Sequence, residues 1–232
     1  MDIVKTGDGS DTIYSEVFGA SYHSVHGAIQ ESRHIFIDAG LRYQMGRGDC
    51  PIHVLEIGLG TGLNAFLSYL WAQKQGLSIS YTALEPFPIE VEQAKALNYV
   101  GQLGAEAFAG VFDAIHQSEW GNPVRLGLED EAQAWVFNFT KLCERAEVVN
   151  FSTLFDVIYF DAFAPDVQPE LWTDAMMDIL YGLLNFGGVL TTYCAKGSVR
   201  RSMRQAGFEV EKLMGPPGKR EITRANKPIK MI

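Results

Sequence analysis

From residue 52 the chain alternates between short apolar runs and segments whose apolar positions recur every three or four residues. Residues 52–58 (IHVLEIG), bounded by Pro51 and Gly58, read as a buried strand. Leu63, Phe66, Leu67 and Leu70 then repeat at helical spacing, which predicts a helix over 62–75. The same alternation continues with a strand at 78–85 and a helix at 89–100. Residues 135–142 alternate as a strand, and 155–163 form a strongly apolar strand ending in an acid. A helix over 170–184, a strand over 187–195 and a short helix over 198–207, closed by Gly207, complete the series. Residues 208–214 and 219–225, joined through Pro216, Pro217 and Gly218, predict a terminal hairpin. The stretch 103–133 is polar, carries Gly and Pro, and gives no clear period.

Strands alternating with helices predict an α/β fold, a doubly wound and mostly parallel sheet with an antiparallel edge supplied by the hairpin. Residues 1–50 differ, with Tyr14, Phe18, Tyr22, His23, His26 and Phe36 among short turns. They are expected to be a small N-terminal extension packed on a main domain over 51–232.

At 232 residues, with 47% hydrophobic and 20% charged residues, the composition is that of a folded domain and excludes disordered and fibrous classes. The start of the chain lacks a basic stretch followed by an apolar one, and no apolar run approaches the ~20 residues needed to span a bilayer. Three cysteines without a C-x-x-C pair support neither a disulfide scaffold nor a zinc ribbon. A cytoplasmic protein is expected. The five histidines show no metal-ligand spacing, so no metal is expected. Charge is segregated: residues 196–232 carry a net +7, against −16 for residues 1–195. A basic face on an acidic chain points to an anionic partner, nucleic acid first, although the same charges could simply solvate a helix and tail.

The chemistry concentrates at strand ends. The first strand runs into Glu56-Ile57-Gly58-Leu59-Gly60-Thr61-Gly62-Leu63-Asn64, where glycines let a backbone approach a ligand and the next helix offers free N–H groups. The spacing G-x-G-x-G, with an acid before it, departs from the dinucleotide fingerprint G-x-G-x-x-G and matches S-adenosylmethionine enzymes. No Lys-Ser/Thr follows, which excludes a phosphate P-loop. Glu85 closes the second strand 23 residues after Gly62, the offset at which a carboxylate accepts ribose hydroxyls. Asp161 closes the strand 155–160, where a carboxylate can hold a substrate amine in line with a methyl donor.

Around these motifs the segments DGSDTIYSEVFGASYHSVHGAIQESRHIF, LEIGLGTGLN, YTALEPFPI, DAFAPDVQPELW and YCAKGSVRRSMRQAGF…GPPGKREITRA resemble the MnmC/MnmD-like tRNA methyltransferases, over nearly the whole chain and least across 103–150. The resemblance implies a class I, Rossmann-like S-adenosylmethionine-dependent methyltransferase fold. It also implies methylation of the exocyclic amine of 5-aminomethyl-(2-thio)uridine at the tRNA wobble position. Within it, Glu56, Gly58, Gly60, Gly62, Asn64 and Glu85 would serve the cofactor, with Glu31 and Ser32 nearby, and Asp161 would hold the amine. Tyr14, Tyr22 or Phe163 would stack on an extruded uracil, and Lys196, Arg200, Arg201, Arg204, Lys219 and Arg220 would meet the anticodon-stem phosphates. Where many members read G-F-G-x-K-R-E, this chain has Gly215-Pro216-Pro217-Gly218-Lys219-Arg220-Glu221, so the loop shape differs while the basic residues remain. No flavin fingerprint is present, and the aminomethyl substrate is expected to come from a separate oxidase. Two other classes fit parts of the pattern: a spermidine-synthase-like aminopropyl transferase, and a non-catalytic RNA-binding protein on the same fold.

Overall fold

The computed structural model describes residues 2–47, 50–127 and 135–229. Its N-terminal part is a three-stranded antiparallel sheet of β1 (Asp2–Lys5), β2 (Asp11–Ser15) and β3 (Ala20–Ser21). A helical stretch follows: α1 (Ala28–Ser32), a widened turn over Arg33–Leu41 and α2 (Arg42–Gln44). The widening shows in the N–H of Arg42, which reaches back five residues to the carbonyl of Ile37. Ile35, Phe36 and Leu41 are buried from this stretch in the same core as Val54, Phe66, Tyr81 and Tyr159. This N-terminal helical stretch therefore shares the hydrophobic core of the sheet, which burial of large apolar side chains stabilises.

Among the described residues the main sheet has eight strands. In chain order they are β4 (Ile52–Ile57), β5 (Ile79–Leu84), β6 (Val124–Leu126), β7 (Phe137–Leu142), β8 (Phe155–Phe160), β9 (Leu184–Thr192), β10 (Glu209–Met214) and β11 (Glu221–Asn226). They lie in the spatial order β10-β11-β9-β8-β4-β5-β7-β6. The five central strands are parallel. The predicted hairpin forms and supplies one antiparallel edge. A second antiparallel edge, β6 on β7, arises inside the stretch where the sequence gave no period. Residues 128–133 of that stretch, residue 134 after it, and Lys230 of the basic tail lie outside the described residues.

Among the described residues the strands are connected by α3 (Leu63–Gln75), α4 (Val91–Lys95), α5 (Tyr99–Gln102), α6 (Ala109–Gln117) and α7 (Asp174–Leu183), and α8 (Gly197–Gln205) precedes the hairpin. Two expected helices are shorter than their periodicity suggests. The helix expected over 89–100 breaks into α4 and α5 because Asn98 is bonded to the N-terminal sheet. Its side-chain oxygen accepts the Asp11 N–H at 2.9 Å, and its amide group donates to the Gly9 carbonyl at 2.9 Å. The helix expected over 170–184 starts only after Thr173, whose hydroxyl accepts the Met176 N–H at 3.2 Å. A single tight turn, Pro169–Trp172, precedes it.

Strands β4 and β8 are neighbours at the centre of the sheet, and β5 lies on the other side of β4. Their carboxyl ends therefore bring Gly58, Glu85 and Asp161 to one edge, the place where open α/β sheets bind ligands.

Candidate active site

The glycine loop leaves β4 with all three glycines in the left-handed region, at φ +92° for Gly58, +50° for Gly60 and +72° for Gly62. At Gly60 a side chain would meet the Tyr22 ring, with an added Cβ only 2.8 Å from Cδ1. Both conformation and space thus call for glycine. The loop is held from two sides. Gly58 N–H donates to the Leu84 carbonyl at 2.9 Å, and Gly60 N–H donates to Oε2 of Glu85 at 2.9 Å. The other Glu85 oxygen accepts the Phe87 N–H at 2.8 Å. Burial raises the Glu85 carboxyl above its ordinary range, and the two backbone donors pull it back. Each oxygen retains a second lone pair, so the carboxylate can still take hydroxyl donors.

Thr61, at the tip of the loop, collects three side chains. Its hydroxyl lies 2.7 Å from Nε2 of His23 and 3.3 Å from the Tyr99 hydroxyl, and its carbonyl lies 3.2 Å from Nε2 of His116. Burial, reinforced by a nearby lysine in each case, drives both histidines down to about 4, so they are neutral at physiological pH. They brace the loop rather than carry charge.

Behind the loop, Nδ2 of Asn64 donates to Oε1 of Glu56 at 2.9 Å and to Oδ2 of Asp161 at 2.8 Å. The second Glu56 oxygen accepts the Tyr81 hydroxyl at 2.9 Å. Glu56 is fully buried, and desolvation raises its carboxyl well above the ordinary value. Asp161 is pushed up to about 8, first by burial and then by the charge of Glu31, while Asn64 and Lys219 act in the opposite direction. A carboxyl tuned in this way exchanges its proton near physiological pH.

These groups surround a cavity of about 350 Å³, a volume suited to a small ligand. Of the residues singled out from sequence, Tyr22, Glu31, Gly58, Gly60, Glu85, Asp161, Phe163 and Lys219 line it. Glu56, Asn64, Gly62 and Ser32 do not. The first two form the hydrogen-bonded support just described, Gly62 sits against His116, and Ser32 is buried. Tyr14 lies on β2, partly exposed and away from the cavity.

The basic residues separate into three groups. Arg201, Arg204 and Arg220 are exposed, and Lys196 is a surface residue paired with Asp166 at 2.6 Å. Arg200, expected on this phosphate-facing surface, is instead buried between α8 and β11. Its guanidinium donates to the Thr223 hydroxyl at 2.9 Å, to the Ile222 carbonyl at 3.0 Å and to Glu221 at 2.6 Å. A guanidinium with its donors committed in this way ties helix to hairpin and has little left for a phosphate. Lys219, expected on the same surface, turns inward. It pairs with Glu31 at 2.6 Å, and its ammonium lies 4.2 Å from the centre of the Tyr193 ring.

Several wall residues escaped the sequence reading. Phe18 stacks on Phe163 with ring centres 4.5 Å apart and meets Phe87 edge-on at 5.5 Å, which makes an aromatic rim with Tyr22. Tyr193 donates its hydroxyl to the Ala162 carbonyl at 2.8 Å. Gln168 and Trp172 bond the main chain of Phe163, at 2.9 and 2.8 Å, and fix the loop after Asp161. The signal available for these was their place in the quoted segments: Phe18 in DGSDTIYSEVFGAS, Phe87 in YTALEPFPI, Gln168 and Trp172 in DAFAPDVQPELW, and Tyr193 in YCAK. Among the described residues no group of three His, Cys, Asp or Glu side chains is placed to hold a metal, and no helix is long and apolar enough to cross a membrane.

Comparison with known proteins gives this geometry its context. Residues 123–228 match a family described as S-adenosyl-L-methionine-dependent methyltransferase, a span that contains Asp161 and Lys219. The chain is 30% identical over 225 residues to the tRNA 5-methylaminomethyl-2-thiouridine biosynthesis bifunctional protein MnmC of Ralstonia nicotianae, which covers 94% of this chain and 33% of that protein. The MnmC protein of Delftia acidovorans is 28% identical over 222 residues, covering 90% of this chain and 32% of its own length. This chain carries an MnmC-like methyltransferase domain. It spans about a third of the length of those curated relatives. The MnmC-like domain shares its fold with MNMC2 from Aquifex aeolicus, at a TM-score of 0.74 and 23% identity over 99% of this chain and 70% of that one. Spermidine synthase from Thermotoga maritima is a more distant match, at a TM-score of 0.54 and 16% identity over 95% of this chain and 70% of that one.

Proposed function

We propose that the chain transfers a methyl group from S-adenosylmethionine to the aminomethyl nitrogen of 5-aminomethyl-(2-thio)uridine at the wobble position of tRNA. The observation that carries this reading is the placement of Asp161. Its carboxylate is fixed by Asn64 in the wall of the cavity that the glycine loop and Glu85 also line. The names of the MnmC relatives supply the acceptor; the geometry supplies a reason for an amine.

The residues present fit the donor. Gly58 and Gly60 offer bare backbone, Glu85 offers an oriented carboxylate for ribose hydroxyls, and Leu59, Leu84 and Ala146 offer an apolar wall. When bound, S-adenosylmethionine supplies an electrophilic methyl group. The protein's own part is to present the acceptor nitrogen with its lone pair free. An aliphatic ammonium has no lone pair, so its proton must leave before attack. Asp161, with its proton exchanging near pH 8, can accept a hydrogen bond or a proton from that nitrogen and fix its direction. Asn64 prevents the carboxylate from rotating, and Tyr193 and Phe163 wall the space around it. Tyr22 and the Phe18–Phe163 pair offer aromatic faces to a base splayed from its loop. Of the cations singled out from sequence, Arg201, Arg204 and Arg220 are exposed and free to meet phosphates. The reaction consumes a uridine that already carries its aminomethyl group, which a separate oxidase supplies in this reading.

A polyamine acceptor is the second reading, because Glu144, Glu147 and Glu170 add to the carboxylates lining the cavity, a surface that favours cations. Transfer of a radiolabelled methyl group separates the two. Label on an anticodon stem-loop bearing the aminomethyl base, with none on spermidine, supports the tRNA reading. Label on spermidine alone overturns it.

A further inference from the structure

Lys219 stands at the tip of the β10–β11 hairpin, next to Arg220, yet the two side chains face opposite ways. Arg220 is exposed, whereas Lys219 enters the cavity and pairs with Glu31 from α1. The hairpin is also docked on the N-terminal helical stretch through Nε2 of His34, which lies 2.8 Å from the Met214 carbonyl. Two of the carboxylates that line the cavity, Glu31 and Asp161, therefore share it with the Lys219 ammonium. The other titratable groups facing Asp161 are Glu56, reached through Asn64 from β4, and Tyr193, at the end of β9.

We infer that Lys219 is a positioning residue for the acceptor: by neutralising Glu31 it lets Asp161 ionise in the cavity and hold the amine. Like charges confined in a desolvated space cannot both ionise cheaply, and a cation bound to one of them relieves the other. Lys219 does this without touching the reacting atoms. Its ammonium is engaged by Glu31 at 2.6 Å and by the Tyr193 ring at 4.2 Å, so its position is fixed by two partners on different elements. The charge of Glu31 raises the Asp161 carboxyl and that of Lys219 lowers it.

This inference rests on the proposed function only for what Asp161 holds, so its test is read in the protein without acceptor. The Asp161 carboxyl carbon is titrated by carbon-13 NMR and assigned through Asp161→Asn, with S-adenosylmethionine affinity and melting temperature recorded for every variant. Lys219→Met is expected to move the midpoint up by about one pH unit or more, and Glu31→Gln to move it down. The double variant is expected to return it close to wild type, a rescue that a purely structural role for Lys219 does not produce. If Lys219→Met does not fold, Glu31→Gln alone decides the matter, because an unmoved midpoint there overturns the inference. A midpoint common to all folded variants also overturns it. Methyl transfer by the wild-type protein is scored separately, so the absence of tRNA methylation with the expected midpoints contradicts the proposed acceptor and leaves the electrostatic role of Lys219 standing.

Discussion

The Glu85 carboxylate accepts the amide N–H of Gly60 at 2.9 Å, which makes the acid at the end of β5 a structural clamp on the loop that ends β4. Ligand binding and loop shape are therefore linked through one side chain. Glu85→Gln keeps the volume and one acceptor oxygen but replaces the other acceptor by a donor that faces a backbone N–H. It is expected to weaken S-adenosylmethionine binding by about 10-fold or more, since a clash of donors and a lost charged hydrogen bond together amount to about 1.5–3 kcal/mol. Calorimetric titration checks this, and unchanged affinity would show that neither the clamp nor a ribose contact matters.

Gly60→Ala tests the loop itself. At φ +50°, with the Tyr22 ring 2.8 Å from an added Cβ, the substitution is expected to cost about 1–2 kcal/mol of stability from the backbone alone. Thermal unfolding reads the loss, and cofactor binding should fall with it. The control is Gly76→Ala, which is left-handed at φ +64° but has open space around it, so it bears the backbone cost without the Tyr22 collision and should leave cofactor affinity unchanged.

Asp161→Asn removes the charge while keeping the shape. Turnover is expected to fall by about 100-fold or more, with S-adenosylmethionine affinity changed by no more than about 3-fold, because the interaction lost is the one directed at the acceptor. Equal losses in both quantities would move Asp161 into cofactor binding.

The elevated Asp161 carboxyl also fixes the sign of a proton linkage. Its folded value, about 8, lies above pH 7, so the free cavity holds the proton there, while a bound ammonium favours the ionised form. Binding of an aminomethyl-bearing stem-loop at pH 7 should release protons, seen as a calorimetric enthalpy that varies with the ionisation enthalpy of the buffer. Release should disappear above pH 9 and in Asp161→Asn. Proton uptake at pH 7 would contradict the assignment.

Arg200 and Arg201 are adjacent in sequence and divide by role. Arg201→Ala should leave stability within about 0.5 kcal/mol and reduce the slope of log affinity for tRNA against log salt by about one. Arg200→Met should leave the Thr223 hydroxyl and Ile222 carbonyl without their donor and cost about 2–3 kcal/mol in unfolding. A flattened salt slope in Arg200→Met, with normal stability, would reverse the division.

What could be read in the sequence was whatever a local pattern encodes. The apolar runs of β4, β5 and β8 follow from burial on both faces of a central sheet, and the acids that close β5 and β8 stand out against them. The Gly58-Leu59-Gly60-Thr61-Gly62 loop follows from its conformational demand. The remainder depends on partners distant in the chain. Asn98 breaks a helix because Gly9 and Asp11 bond to it, and β6 is a strand because β7 pairs with it. No spacing tells that Lys219 turns into the cavity while Arg220 turns out, since the side of a hairpin is set by what it docks against. Arg200 read as a surface charge because nothing near it in sequence announces Thr223 and Glu221. Tyr193 is one aromatic among many until Ala162 and Lys219 are found against it.

The most direct test of the central claim is mass spectrometry of nucleosides from tRNA prepared in cells blocked at the aminomethyl stage, after incubation with this protein and S-adenosylmethionine. The account predicts a gain of one methyl group, on the wobble 5-aminomethyl-(2-thio)uridine alone and lost in Asp161→Asn. Unchanged nucleosides, with S-adenosylmethionine demonstrably bound, would contradict it.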